Sequence, residues 1–356
     1  MDFKSRIAVL DYLRLAAAIC VCISHVLGAI RTTHHILSPL SEVFRSTTIF
    51  RVPLLFAISG FVVYLSIRNK AQTVSTVFQF LVRRWVWTLF PLLLALSFTY
   101  CYEKMLWLGG FPHVQQRTLI DVVSNVLCLT SFTSTRRWIV PTWSLSYELQ
   151  YYLITAVVWI LNSTKGDRSG SQLQVYIAVL ALLLISLVAD RTYQFEALGI
   201  WHFRWFAMGL LAGIRFSNIK YAWLFRSSIV IVGIASILEG GEYLVATKLL
   251  LLVGVLIFVE TDGFCGTNKF LHSSPLFGTI SYLIYLLHWP IGYHSGAIVQ
   301  LCRILSLQDD YWPMFAILIP LCVSVLIAKP VYRSCDWATM YLSLKYQRNS
   351  GQFSEL

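Results

Sequence analysis

Among the stretches of the chain that contain no Asp, Glu, Lys or Arg, ten mark candidate membrane helices: 15–30, 52–67, 85–102, 149–164, 169–189, 205–214, 227–238, 249–259, 270–302 and 311–328. No other feature constrains the fold as strongly. A transmembrane helix needs roughly 20 predominantly apolar residues. A backbone in lipid must also satisfy its own N–H and C=O groups, so such runs are read as helices. Extended to their flanks, the ten stretches predict helices over 9–30, 52–67, 85–102, 144–162, 173–189, 200–214, 227–238, 247–260, 277–299 and 313–328. The expected fold class is all-α: a polytopic integral membrane bundle of about ten transmembrane helices. The three shortest, 200–214, 227–238 and 247–260, read as tilted or discontinuous partners inside the bundle. Residues 119–133 are apolar but carry Asp121 and Asn125, and read as a re-entrant or interfacial segment in a long outer loop. Residues 1–340 form one transmembrane unit, followed by a short tail over 341–356.

Composition removes the competing classes. Of 356 residues, 57% are apolar and only 13% are charged, which argues against a disordered chain, a nucleic-acid-binding domain and an ordinary soluble enzyme. The net charge of +11 fits a membrane protein whose cations collect on the cytoplasmic side. With the N-terminus inside and helices alternating, the larger share of the 28 Lys and Arg residues falls on that side, Arg68, Lys70, Arg83 and Arg84 among them. Both termini are therefore expected in the cytoplasm. The N-terminal run after Lys4 and Arg6 resembles a signal peptide's start, but Asp11 and Arg14 interrupt it, so it reads as a retained first span. Eight cysteines include no Cys-x-x-Cys pair, and neither a zinc site nor a disulfide framework is expected.

Ionisable groups within membrane spans are costly and normally face the bundle interior. The first helix holds Asp11, Arg14 and His25. The eleven-residue interval from Arg14 to His25 turns the helix by about 1,100°, three turns plus roughly 20°, and advances it about 16 Å. The two side chains share a face, and Asp11 lies within about 40° of the same line. An Asp11–Arg14 ion pair at i,i+3 is the plain alternative for those two residues. Glu148, just inside the outer end of the fourth predicted helix, comes to a depth similar to that of His25. A carboxylate there would orient an imidazole and stabilise its protonated form. His288 lies near mid-membrane, either lining the same cavity or bridging helices. Ser59-Gly60 reads as a close helix contact. Arg68, Lys70, Arg83 and Arg84 flank one short loop, where they could grip phosphates or simply set topology.

Together these segments resemble the acyltransferase 3 family of integral membrane acyltransferases. Arg14 and His25 look like its Arg-x10-His pattern. Residues 52–61, ending Ser59-Gly60-Phe61, resemble its second-helix signature. Trp143-Ser144-Leu145-Ser146-Tyr147-Glu148 resembles its Trp-Ser-Leu-Ser-x-Glu segment, and Gly278 to Pro290, with Ser281-Tyr282 and His288, its late helix. The order and spacing match from about residue 6 to 335. Two positions depart from the pattern. Arg84 is followed by Trp87, Thr88 and Pro91 where the family often has a second arginine, and Leu149 stands where many members carry an acidic residue.

The resemblance implies transfer of an acyl group, most simply acetyl from cytoplasmic acetyl-CoA, to a hydroxyl of a cell-surface or lipid-linked polysaccharide at a bacterial inner membrane. Acetyl-CoA would be a donor substrate; no permanently bound cofactor and no metal is expected. His25 and Glu148 would be catalytic. Arg14, Arg83, Arg84 and Asp11 would hold the donor, with Ser59, Tyr282 and His288 around the cavity. The partners would be the lipid bilayer, acyl-CoA and the glycan acceptor, with no nucleic acid. The rival readings are a secondary transporter, whose interior ionisable groups form a substrate path, and a structural membrane partner with no chemistry.

Overall fold

The computed structural model describes residues 8–30, 38–68, 70, 73–108, 118–133, 135–161, 168–188, 198–238, 242–261, 276–293 and 312–349. Within them the chain is all-α. The helices are α1 (Ala8–Ile30), α2 (Ser38–Ile67), α3 (Val74–Leu108), α4 (Leu119–Val126), α5 (Thr130–Thr133), α6 (Trp143–Leu161), α7 (Arg168–Val188), α8 (Ile200–Ser217), α9 (Ala222–Leu238), α10 (Glu242–Glu260), α11 (Leu276–His288) and α12 (Trp312–Asn349). A π-helical turn over Trp289–Tyr293 continues α11. Four segments are long and apolar enough to cross a membrane, Val9–Leu27, Val74–Lys104, Ile219–Leu238 and Pro313–Leu344, and shorter apolar helices accompany them. The molecule is a polytopic membrane bundle.

Each of the ten predicted helices has a counterpart, but several run further than the charge-free stretches. α2 begins at Ser38 rather than 52 and includes Arg45 and Arg51. α3 begins at Val74 and includes Arg83 and Arg84, and α12 continues to Asn349 rather than ending at 328. A charge ends the part of a helix that lipid tolerates; it does not end the hydrogen-bonded helix. The three helices expected to be short or discontinuous run unbroken for 18, 17 and 19 residues. The predicted 277–299 helix is α-helical to His288 and π-helical to Tyr293; residues 294–299 lie outside the described residues. Pro290 in the π-helical turn has no N–H to donate, so one bond of the regular α ladder is missing there.

The 119–133 segment forms two short helices. Thr118 and Asp121 cap the first reciprocally, the hydroxyl accepting from the Asp121 N–H and the carboxylate from the Thr118 N–H. Leu119, Ile120, Val123 and Phe132 are exposed, the surface expected of a segment in contact with lipid.

Two apolar cores organise the bundle. The first gathers α2, α6, α7, α8, α9 and α10 with Val77 and Phe80 of α3. The second gathers Ala18, Val21 and Cys22 of α1, Leu92, Ala95 and Leu96 of α3, Leu145 of α6, α11, and Ala328, Val331 and Cys335 of α12. Leu149 of α6 packs against both. The most extensive helix contact is α2 on α8. A Cβ on Gly60 would overlap the Phe206 carbonyl, and one on Gly209 the Ala57 carbonyl, so glycine is what lets these backbones touch. The expected close contact at Ser59-Gly60 is thus made by Gly60. At one end of the bundle Arg68 donates to Ser217 at 2.5 Å, and Arg215 and Arg226 both reach Glu260, tying α8, α9 and α10.

Candidate active site

His25 is half-buried on α1 and His288 fully buried at the end of α11. Their facing nitrogens, His25 Nδ1 and His288 Nε2, are 2.8 Å apart. The ring centroids are 5.0 Å apart and the planes differ by 21°. That separation is close to the largest a 2.8 Å nitrogen–nitrogen contact allows, so the rings meet edge to edge in a well-aligned hydrogen bond. His288 Nδ1 lies 3.0 Å from the Ile284 carbonyl, one turn back on its own helix. Trp289 sets its ring edgewise to His25 at 5.4 Å. His288 therefore both bridges two helices and touches the candidate base.

Glu148 lies beside the first core, of which its donor Tyr152 is a member. Its Oε1 accepts from the Ser59 hydroxyl of α2 and from the Tyr152 hydroxyl one turn further along α6. Two hydroxyl donors on one carboxylate oxygen fix its rotamer. The Tyr152 ring also lies beneath Arg84, whose guanidinium carbon is 5.3 Å from its centroid and 5.6 Å from that of Phe80. A single tyrosine side chain thus spans from Arg84 to Glu148. Arg84 also donates to the Ser66 hydroxyl at 3.4 Å.

Tyrosines of α11 join the two sides. The Ser144 and Tyr285 hydroxyls are 2.8 Å apart, and Tyr285 donates to the Pro141 carbonyl at 3.0 Å. The Tyr285 ring lies 6.0 Å from that of His288. Tyr282 donates to the Thr88 carbonyl at 3.0 Å, which fixes α11 against α3. Ser146 donates to the Cys128 carbonyl at 2.6 Å, fastening the 119–133 segment onto the glutamate motif. Cys128 has φ 56, a left-handed conformation that strains a residue with a Cβ. The Asn125 side chain holds the same segment, accepting from the Trp138 N–H at 2.9 Å and donating to the Arg136 carbonyl at 3.0 Å. Trp143, which opens the motif, packs against His202 at 5.2 Å.

The cationic end has a distinct character. Asp11 is buried, whereas Arg14 is half-buried and makes no hydrogen bond or ion pair among the described residues. The i,i+3 pair between them is not formed: Asp11 turns into the helix packing and Arg14 keeps access to solvent. Lys70 is exposed at the α2–α3 turn. Crowding of its ammonium by the surrounding chain, then the Arg83 and Arg84 guanidiniums, hold its pKa below the ordinary lysine range. Such a concentration of like charge suits an anion with several phosphates. No group of three metal-ligating side chains converges among the described residues.

The structure thus brings His25 together with His288, and Glu148 together with Ser59. Tyr282 acts as a strut between helices. Tyr152 and Tyr285 were not singled out from sequence. Tyr152 carried a signal, a phenol one helical turn after an intramembrane glutamate; Tyr285 lies in the late-helix segment from Gly278 to Pro290, but its partner Ser144 on a distant helix was not legible there.

An acyltransferase-domain profile matches residues 7–329. The chain belongs to the acyltransferase 3 family. It is an acyltransferase enzyme, embedded in the membrane by its apolar helices. No curated protein and no solved structure matches the chain. The matched region contains His25, Glu148, His288 and all the cations considered above, so the site lies inside the acyltransferase domain.

Proposed function

We propose that this acyltransferase moves an acetyl group from cytoplasmic acetyl-CoA to a hydroxyl of a cell-surface or lipid-linked glycan at a bacterial inner membrane. The observation that carries the reading is on α1. Arg14 has donors unclaimed by the described residues, and His25 lies on the same helical face about 16 Å further along. An extended thioester arm fits that interval. Arg14, Arg83 and Arg84, with Lys70 beside them, hold the CoA phosphates by charge-assisted hydrogen bonds. Asp11 supports Arg14 through the helix packing rather than by an ion pair.

The chemistry at His25 is general-base catalysis. Its imidazole takes the proton of the glycan hydroxyl as the oxygen attacks the thioester carbonyl carbon. The C–S bond then breaks, and the departing CoA thiolate takes the proton back. One ester forms, one thioester is lost and free thiol leaves. The Glu148 carboxylate, held by Ser59 and Tyr152, stabilises the imidazolium formed in between. Both termini lie in the cytoplasm, a reading supported by the excess of Lys and Arg on that side when the helices alternate.

Labelled acetyl-CoA and candidate polysaccharides, incubated with the protein in proteoliposomes, test this directly. Label in the glycan and release of free CoA are expected. Glycan flux without thioester turnover would replace the reading with transport. Cysteines introduced near Arg117 and Asp309 should be labelled from outside and those near Arg83 should not. Outside labelling beside Arg83 would overturn the donor side.

A further inference from the structure

The hydrogen bonds around His288 have a direction. The Ile284 carbonyl can only accept, so His288 Nδ1 carries a proton and donates to it at 3.0 Å. His288 is fully buried, and among the described residues its polar contacts are the Ile284 carbonyl, the Tyr285 main chain and His25, with no carboxylate. Enclosing a charged imidazolium there without a counter-ion is costly, so the ring is neutral. A neutral imidazole with its proton on Nδ1 has a lone pair on Nε2. The group 2.8 Å from that lone pair, His25 Nδ1, is therefore the donor. A neutral His25 whose proton is on Nδ1 has its own lone pair on Nε2.

We infer that His288 is a positioning residue that relays the Ile284 main-chain carbonyl to His25, holding His25 in the Nδ1–H tautomer with Nε2 as the basic atom. The inference deepens the proposed function, on which its catalytic consequence rests. Ordinary catalytic histidines are oriented by a carboxylate or a main-chain oxygen at the far nitrogen. Here the orienting group is a second imidazole. A carboxylate at Nδ1 would attract the proton and stabilise the imidazolium strongly. A neutral imidazole fixes the tautomer without placing a full negative charge beside it, and leaves charge stabilisation to another group. The edge-to-edge geometry also aims His25, because turning its ring would break the aligned bond. The pair further couples the base to the seating of α11 on α1, since its members are 263 positions apart.

The test reads the tautomer first and turnover second. Protein labelled with 15N-histidine, in lipid bilayers, is compared as wild type, His288→Ala and His288→Gln, with the His25 signals assigned by their loss in His25→Ala. The wild type should show His25 protonated on Nδ1 and bare on Nε2. His288→Ala should show a mixture of the two tautomers, and acetyl transfer should fall about 5- to 10-fold, the scale of one net hydrogen bond. His288→Gln keeps an acceptor oxygen and should restore both the single tautomer and most of the rate. A wild-type His25 protonated on Nε2 overturns the inference without any variant being made. So does an unchanged tautomer in His288→Ala, or a Gln variant as impaired as Ala, which would mean that His288 only fills space. If the spectra behave as expected and no acetyl is transferred, the acetyltransferase reading fails and the tautomer assignment stands.

Discussion

The histidine pair and the glutamate are held by opposite strategies. His25 and His288 belong to the core built from α1, α11, α12 and the later part of α3, and their bond joins residues at opposite ends of the sequence. Glu148 lies beside the core of α2 and α6–α10, and one of its two donors, Tyr152, is its own neighbour one turn along the helix. The imidazole pair therefore depends on how two helices are seated, whereas half of the carboxylate's support is present as soon as α6 forms. The difference teaches where each group is vulnerable. A change in helix packing on the α1–α11 side disturbs the base; on the α6 side the local substitutions matter most. Ser144–Tyr285 and the packing of Leu149 against both cores keep the two sides in register.

The largest expected effect is at the base. His25→Ala should insert normally and bind CoA, yet lose transfer by about 100-fold or more, the scale of a missing general base. Turnover at the parental rate in a folded variant would break the comparison at its first term. Next is the donor end: Arg84→Gln should weaken CoA binding roughly 10- to 150-fold, as expected for one charge-assisted hydrogen bond. Equilibrium binding to protein in nanodiscs measures it, and undiminished affinity would move the phosphates elsewhere. Because Arg84 also rests on Tyr152, the same variant should disturb the carboxylate side more than the histidine side.

A smaller and more local loss is expected at Tyr152→Phe. It removes a hydrogen bond to a carboxylate and keeps the ring beneath Arg84, so transfer should fall by about tenfold while CoA affinity holds. Glu148→Gln should also lower transfer, and its loss should not add to that of Tyr152→Phe if both act through one charge. The smallest effect sharpens the comparison most. Ser144→Ala and Tyr285→Phe should each cost about 1 kcal/mol, and the double variant less than their sum, because they share a bond. Thermal unfolding in detergent gives the three values; strict additivity would mean that the two cores are held in register by packing alone.

Much of this could be read from the amino acids. The absence of charge over ten stretches is local information, and lipid leaves a helix as the one form such a stretch can take. The shared face of Arg14 and His25 follows from the helical period alone. Helix ends were less legible: Arg45, Arg51, Arg83 and Arg84 lie inside helices, because the bilayer boundary and the end of a hydrogen-bond ladder are set by different forces. The partner expected to orient His25 was Glu148, on grounds of depth. The bond at Nδ1 goes to His288 instead.

Sequence by itself determined that the chain is a bundle of apolar helices and which side chains share a face of one helix, both consequences of short-range composition and period. The tertiary structure alone decided which groups meet. It turned Asp11 into the packing and away from Arg14, set one tyrosine between Arg84 and Glu148, and placed His288 against Nδ1 of His25. Those meetings depend on the rotation and seating of helices remote in sequence. A hydrogen bond tolerates only a few tenths of an ångström of error, and no local pattern records it.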